Sequence, residues 1–464
     1  MSGLPQGWAA ISLGVIADFE MGQAPPGSSC NRAGIGTVFV KAGEFGNRLP
    51  IIREWTTDPK KYAQKNDVLI CVVGATAGKL NLGMDCSIGR SVAAIRPREE
   101  VLQRTIYFQL LPQVERLRAS TTGSAQGVIN KEMLAAIPFW LPPLPEQKRI
   151  ADKLDSVLAR VDACRERLDG IPTLLKRFRQ SILAEATSGR LTADWRGGRC
   201  AEQAGRRREA ATPTSGAGLS PSVPEGWTFE RAESVCAKVQ SGGTPKEGFS
   251  DVGVPFLKVY NLVDQRVAFE YRAQYIAPEL HRGSMSKSRV LPGDVLMNIV
   301  GPPLGKVAVV PHTHAEWNIN QAITLFRPSN RITTEWLYYV LCLGANIAKI
   351  VHETKGSAGQ VNISLSQCRD FVFPVPPLPE QHEIVRRVET LFAFADRLEA
   401  RCTAARKQVG QLTPALLAKA FRGELVPQDP NDEPAAELLK RLAASRGDAP
   451  RARRGRRSPA PDAA

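Results

Sequence analysis

The chain has 464 residues, 43% of them apolar and 23% charged, a composition that can bury a core in more than one domain and excludes disorder over most of the length. No apolar run approaches the roughly 18 residues of a membrane span, and residues 1–13 lack a basic region followed by an apolar one, so a cytoplasmic location is expected. The formal charge of +15 is spread over both halves of the chain, which points to globular surfaces that attract polyanions and not to a basic tail alone.

In chain order, the first segment opens on LPQGW at residues 4–8 and continues with β-rich runs at 68–73 and 92–95 and a helical stretch at 105–119. Gly74-Ala-Thr-Ala-Gly78-Lys79 invites a phosphate-loop reading. It fails because three residues separate the glycines instead of four, and Leu80 stands where a Ser or Thr is needed. A glycine-bounded turn between strands, with Lys79 reaching outward, fits instead, and Asp67 and Asp294 read as turn residues ahead of strands. The nine cysteines are scattered singly, so neither a disulfide framework nor a zinc ribbon is expected, and His312 and His314 read as a solvated loop. No dinucleotide-binding, metalloprotease or nucleophile-elbow motif is present in the sequence.

At Pro142 begins PPLPEQ, leading a long helix, and the same hexapeptide recurs at Pro376. The offset of 234 holds without a gap over residues 142–195 and 376–429, with 15 of 54 positions identical, so the chain is a tandem duplication. Weaker echoes extend it: VPEGW at 223–227, Asp294-Val-Leu for Asp67-Val-Leu, Gly301, Gly305 and Lys306 for Gly74, Gly78 and Lys79, and Gly356-Ser-Ala for Gly123-Ser-Ala. The second variable segment carries β-rich runs at 295–300, 306–310 and 322–326 and a helical stretch at 334–348. The fold class is α+β.

Both repeated segments carry a coiled-coil stripe. The first runs Ile150, Leu154, Val157, Val161, Cys164, Leu168, Ile171, Leu175, Phe178, Ile182; the second repeats the phase as Ile384, Val388, Leu391, Ala395, Leu398, Cys402, Ala405, Val409, Leu412, Leu416. Two such stripes are suited to burying each other, the alternative being that each packs on its own half. Pro172 and Pro414 should kink these helices, each about 50 Å long at 1.5 Å per residue. The leader explains itself as a helix entry, with Glu146 and Glu380 favoured by the macrodipole. Its repetition further marks Pro143, Leu144, Glu146, Gln147, Pro377, Leu378, Glu380 and Gln381 as a partner-docking surface. The expected boundaries are a variable domain at 1–141, a helix at 142–195, a flexible linker at 196–222, a second variable domain at 223–375, a helix at 376–427 and a disordered basic tail at 428–464.

The LP-x-GW openings, the Gly-Ser-Ala segments and the PPLPEQ-led helices ending in Ala-x-x-Gly-x-Leu at 186–191 and 420–425 resemble the specificity subunits of type I restriction-modification enzymes over nearly the whole chain. That resemblance implies two target-recognition domains, each reading half of a bipartite double-stranded DNA site, held by two antiparallel helices. It implies docking of two methyltransferase subunits, which bring S-adenosylmethionine, and of motor-nuclease subunits with ATP and Mg2+. This chain itself would hold no cofactor and no metal, catalyse nothing and contact no membrane. Side chains beside glycines at turns and strand ends are the candidate DNA contacts: Lys41, Lys79, Arg90, Gln126 and Lys131 in the first domain, Lys258, Lys306, Gln321 and Gln360 in the second. A compact restriction enzyme in which this chain shares in catalysis, and a duplicated scaffold with no DNA role, are the alternatives.

Overall fold

The computed structural model describes residues 4–122, 128–197, 224–353 and 362–447. The chain forms two compact units, Met1–Asp169 with Ala404–Ala464, and Gly170–Thr403. Each contains one variable domain.

In the first unit the strand Ala9–Ser12 pairs antiparallel with Pro138–Leu141, tying the beginning of the domain to its end. Between them an antiparallel sheet runs in the order Ala17–Met21, Val92–Pro97, Val68–Cys71, Leu80–Leu82. The apolar runs of its central strands are continuous because both faces are covered. Val68, Ile70, Ala93 and Ile95 enter one core cluster, whereas Leu69, Cys71, Val92 and Ala94 enter another under the second sheet. That second sheet has the order Cys30–Asn31, Trp55–Thr56, Thr37–Val40, Cys86–Ile88, Tyr62–Ala63, and its Thr37–Val40 and Cys86–Ile88 strands are parallel.

The second unit repeats the plan. Thr228–Arg231 pairs with Val372–Val375, and a sheet runs Cys236–Ser241, Ile323–Pro328, Val295–Asn298, Val307–Val309. A second sheet runs Tyr275–Ile276, Val254–Leu257, Trp317–Ile319, Arg289–Val290, with Val254–Leu257 and Trp317–Ile319 parallel. The helical stretches expected at 105–119 and 334–348 are each broken in two. Gln103–Leu110 and Val114–Thr122 are separated by a tight turn at Leu111–Gln113 holding Pro112, and Thr334–Leu343 and Ala345–Glu353 by Gly344, which takes φ +74°.

The two long helices are Leu144–Thr187 and Leu378–Ala420, and both run on through Pro172 and Pro414. At 1.5 Å per residue each is about 65 Å long, more than the stripe alone required, because each helix starts within the leader and continues past the last stripe residue. In the first unit Ile150, Leu154 and Leu158 from the start of the first helix share a core with Leu417, Ala420 and Phe421 at the end of the second. Asp169 pairs there with Arg406. In the second unit Ile182, Leu183 and Ala186 share a core with Ile384 and Val388, and Arg179 bridges Asp396 at 2.7 Å and Glu399 at 2.8 Å. Start matched to end is antiparallel pairing, and each pair also lies on a domain.

Ile150, Leu154, Val161, Ile182, Ile384 and Val388 are buried, and Val157, Leu168, Leu391, Leu398 and Leu416 half-buried. Phe178 and Leu412 instead stay 37% and 43% exposed, while Leu158, Leu183 and Leu417, each one position after a stripe residue, are buried. An α-helix drifts about 20° per heptad against a 3.5-residue stripe, and the domain beneath each helix end widens the buried face.

Both helices end at glycines in the left-handed region, Gly189 at φ +75° and Gly423 at φ +76°. A Cβ there would lie 2.3 Å from Pro224 Cγ and 2.6 Å from Pro5 Cγ respectively. The end of each helix therefore rests on the opening segment of a domain: the second helix on the first domain, the first helix on the second.

The expectation of a disordered tail from residue 428 is corrected. Ala435–Gly447 is a helix whose Ala435, Leu438 and Leu442 are buried in the core of the first unit, and Arg149 pairs with Asp432 at 2.6 Å. Its apolar spacing is helical, but it is short and flanked by charge, and the basic composition masked it. The linker expectation is also corrected at its first residue, since Arg196 is bound to Glu380; residues 198–223 and 448–464 lie outside the described residues. Leu438→Ala should destabilise the protein by about 2–4 kcal/mol, and Lys440→Ala by less than about 0.5 kcal/mol, measured by chemical denaturation.

Candidate nucleic-acid interface

Two constellations occur once in each domain and fix the frame of the candidate interface. In the first, Trp8 Nε1 donates to Glu146 Oε2 at 2.8 Å, and Trp227 Nε1 donates to Glu380 Oε2 at 2.9 Å. Beside them Gln147 accepts from the Leu102 amide at 3.1 Å and donates to the Pro142 carbonyl at 3.0 Å. Gln381 does the same with the Thr333 amide at 2.8 Å and the Pro376 carbonyl at 2.9 Å. The docking role expected for these four polar residues is corrected: all are buried and satisfy groups inside their own unit. Pro143 is buried and Leu144 half-buried, which leaves Pro377 and Leu378 at the surface.

The two clasps differ. Glu380 Oε1 also accepts from Thr192 Oγ1 at 2.7 Å and from Arg196. At the first clasp the corresponding residues, beyond the end of the second long helix, are Val426 and Pro430, and burial pushes the Glu146 carboxyl above its usual range, opposed by the Trp8 indole and Arg149.

The second constellation is a bidentate pair. Arg96 donates to Asp67 from Nε at 3.0 Å and Nη2 at 2.9 Å, and Arg327 donates to Asp294 from Nε at 2.8 Å and Nη2 at 2.7 Å. Each aspartate also accepts a main-chain N–H across a turn, from Gln64 and Leu291, both at 2.9 Å. The turn reading of Asp67 and Asp294 holds, and the arginine partners are what sequence reasoning missed. The signal available was an Arg-Pro pair, at 96–97 and 327–328, following each Asp-Val-Leu.

On this frame the carboxyl ends of the parallel strands bring candidate contacts together. Val40 lies opposite Ile88, and the next residues along are Lys41 on one strand and Gly89 and Arg90 on the other, with the Gly89 amide bonded to the Val40 carbonyl at 3.0 Å. Leu257 lies opposite Ile319, followed by Lys258 and by Asn320 and Gln321, with the Asn320 amide bonded to the Leu257 carbonyl at 3.0 Å. A third segment crosses each end at a glycine: a Cβ at Gly22 would lie 2.2 Å from the Gly89 carbonyl oxygen, and one at Gly242 2.1 Å from that of Asn320.

The side chains at the two ends differ. Lys41 pairs with Glu54, which raises its pKa, and sits 5.6 Å from the Phe39 ring centroid, while Arg90 is exposed. Lys258 sits 4.1 Å from the Phe249 ring centroid, and Gln321 accepts from Thr244 Oγ1 at 3.0 Å.

Other candidates are not gathered there. Lys79 does not reach outward; its Nζ donates to the Phe45 carbonyl at 2.7 Å and braces the loop that follows Lys41. Lys306 is half-buried in a hairpin turn, its amide bonded to Asn298 Oδ1 at 2.7 Å. Lys131 is exposed at the start of the short helix Lys131–Ala135. Gln126 and Gln360 lie outside the described residues. Among the described residues no group of three or more His, Cys, Asp or Glu side chains is placed to hold a metal, and no helix is long and apolar enough to cross a membrane.

The family described as the type I restriction modification DNA specificity domain matches residues 5–172 and 224–405, one match for each copy of the repeat. The chain belongs to this family. It is similar to the EcoBI specificity subunit of Escherichia coli, 29% identical with 95% of this chain and 92% of that protein covered. It is 30% identical to the EcoKI specificity subunit of Escherichia coli strain K12, with 81% of this chain and 78% of that protein covered. Among solved structures, a chain of a type I restriction-modification assembly superposes with a TM-score of 0.70, 21% identity, and 92% of this chain and 100% of that chain covered. The HsdS subunit from Thermoanaerobacter tengcongensis superposes at 0.55 with 21% identity and 91% and 98% covered, a likeness of fold. The resemblance carried by the repeated motifs is thereby borne out, and the chain serves as the non-catalytic DNA specificity subunit of a type I restriction-modification complex.

The two clasps should respond oppositely to neutralisation. The Glu146 carboxyl holds its proton more tightly folded than unfolded, so it opposes folding at pH values above its raised pKa, and that penalty is relieved as pH falls through the raised pKa toward the unfolded value. Glu146→Gln should thus leave stability at pH 7 unchanged or increased and flatten its dependence on pH. Glu380→Gln, which takes the charged partner from Arg196, should cost about 1–3 kcal/mol. Chemical denaturation at pH 5 and pH 7 checks both, and equal losses would refute the asymmetry.

Proposed function

We propose that the two domains of this specificity subunit read the two halves of one bipartite double-stranded DNA target, each through the carboxyl ends of its parallel strands. Lys41 and Arg90 contact one half-site; Lys258 and Gln321 contact the other. The observation that supports this reading is the duplication itself: the same parallel-strand arrangement offers a basic pair at one strand end and a lysine with an amide at the other. A specificity subunit needs that for two different half-sites, because lysine and arginine favour phosphates and guanine whereas an amide matches adenine. Lys131 adds an exposed positive charge to the first domain, and Lys79 serves the site by fixing the loop beside Lys41.

On this reading the long helices carry two methyltransferase subunits, which bind S-adenosylmethionine and methylate an adenine in each half-site. Motor-nuclease subunits using ATP and Mg2+ join the same complex, which works on DNA in the cytoplasm. The length of the helices sets the number of base pairs left uncontacted between the half-sites.

The test is to co-express the chain with its methyltransferase subunit and map methylated adenines across the host genome by single-molecule sequencing. One motif of two short halves around a fixed gap is the expected result; scattered methylation, or one continuous motif, would contradict the reading. In binding assays with the same complex, Lys41→Glu should weaken association and lower the slope of log affinity against log salt by about 1.

A further inference from the structure

Next to Lys258 the second domain builds a cluster that the reading above does not use. The chain turns through Val259–Asn261, and the buried Asn261 holds the turn to a later loop. Its Oδ1 accepts from the Lys258 amide at 2.9 Å, and its Nδ2 donates to the Tyr271 carbonyl at 2.9 Å and the Ala268 carbonyl at 3.3 Å. On the outer side of this anchor the Tyr260 and Tyr271 rings meet edge to face, centroids 6.2 Å apart, with Tyr271 54% exposed. The exposed Arg272 places its guanidinium carbon 5.3 Å from the Tyr271 centroid and 6.0 Å from that of Tyr260.

Arg272 adopts φ +58°, a left-handed conformation that a non-glycine residue holds only when its surroundings impose it. Among the described residues no carboxylate pairs with Arg272, whereas Lys41, Arg96 and Arg327 are each paired with one. Two aromatic neighbours hold a planar, weakly hydrated cation whose N–H donors lack an anionic partner. The first domain has no such cluster at its equivalent turn. There Glu44 takes the place of Asn261, and the loop continues to the exposed aliphatic side chains Leu49, Ile51 and Ile52.

We propose that Arg272, positioned by Tyr260 and Tyr271, is a specificity-determining contact of the second domain, its guanidinium donating to the two acceptors on the major-groove edge of a guanine. This rests on the proposed reading of DNA by that domain. The chemistry required is a pair of acceptors set for a planar fork, which a phosphate also offers. The two sources differ in their consequence: a base contact carries sequence information and a phosphate contact does not.

The experiment uses the full chain in complex with its methyltransferase subunits, comparing the native protein with Arg272→Lys, Arg272→Ala and Tyr271→Ala. Affinities are measured on duplexes in which each target position is changed in turn, and methylation motifs are mapped in parallel. Arg272→Lys keeps the charge but not the fork, and should lose roughly tenfold to hundredfold discrimination at one G·C pair in one half of the motif. The other half should be unchanged. Tyr271→Ala should relax the same position by a smaller factor.

Unaltered discrimination in Arg272→Lys overturns the proposal. So does an Arg272→Ala protein that binds all sequences more weakly by one factor with a lower salt slope, which would assign Arg272 to a phosphate. In both cases the native motif stays bipartite and the reading of function survives. A native complex that yields no bipartite motif removes that reading and the proposal with it.

Discussion

A carboxylate buried at the first turn of each long helix accepts the indole N–H of the tryptophan that opens the domain, Glu146 from Trp8 and Glu380 from Trp227. The remainder of each unit follows from that bond. It fixes where the first strand begins, and so the pairing of Ala9–Ser12 with Pro138–Leu141 and of Thr228–Arg231 with Val372–Val375. It also sets the start of the helix against the domain. A glutamine one residue later binds the main chain before the next helix, so the first helical turn is joined to three parts of the domain. Buried polar groups paired in this way favour one arrangement strongly, because any other leaves them unpaired in a low-dielectric interior, although Glu146 keeps Oε1 without a hydrogen-bond partner among the described residues.

Above that frame the two copies diverge where divergence is useful. The parallel strands end in the same geometry, crossed by Gly22 or Gly242, and the bidentate pairs Asp67–Arg96 and Asp294–Arg327 brace the same turns. The exposed side chains are unrelated: a paired lysine, Arg90 and aliphatic residues in the first domain, aromatic rings with an arginine placed beside them in the second. A rigid scaffold with variable ends can change the sequence it recognises without disturbing its core, since loop residues contribute little to packing.

Much of this was legible in the sequence because it is periodic or repeated. The stripe from Ile150 onward, the apolar runs at 68–73 and 295–300 and the duplicated leader all leave patterns that physics makes recognisable. Less legible was the direction a side chain takes at a helix start. Glu146 and Gln147 read equally well as solvated or buried, and only the distant Trp8 and Leu102 amide decide between them. The grouping of Lys41 with Arg90, and of Lys258 with Gln321, depends on a parallel pairing between strands far apart in sequence, which no local pattern reports. The helix Ala435–Gly447 was hidden for a different reason, its short apolar face lying within a strongly charged segment.

On the proposed function, two readers, each locked to a helix start, would recognise half-sites whose separation helix length sets. The most direct measurement inserts one heptad at matched levels of both long helices and maps the methylation motif of the resulting complex. Seven residues add about 10 Å of helix, so the account predicts the same two half-sites with a gap longer by about 3 base pairs. An unchanged gap, or altered half-sites, would contradict it.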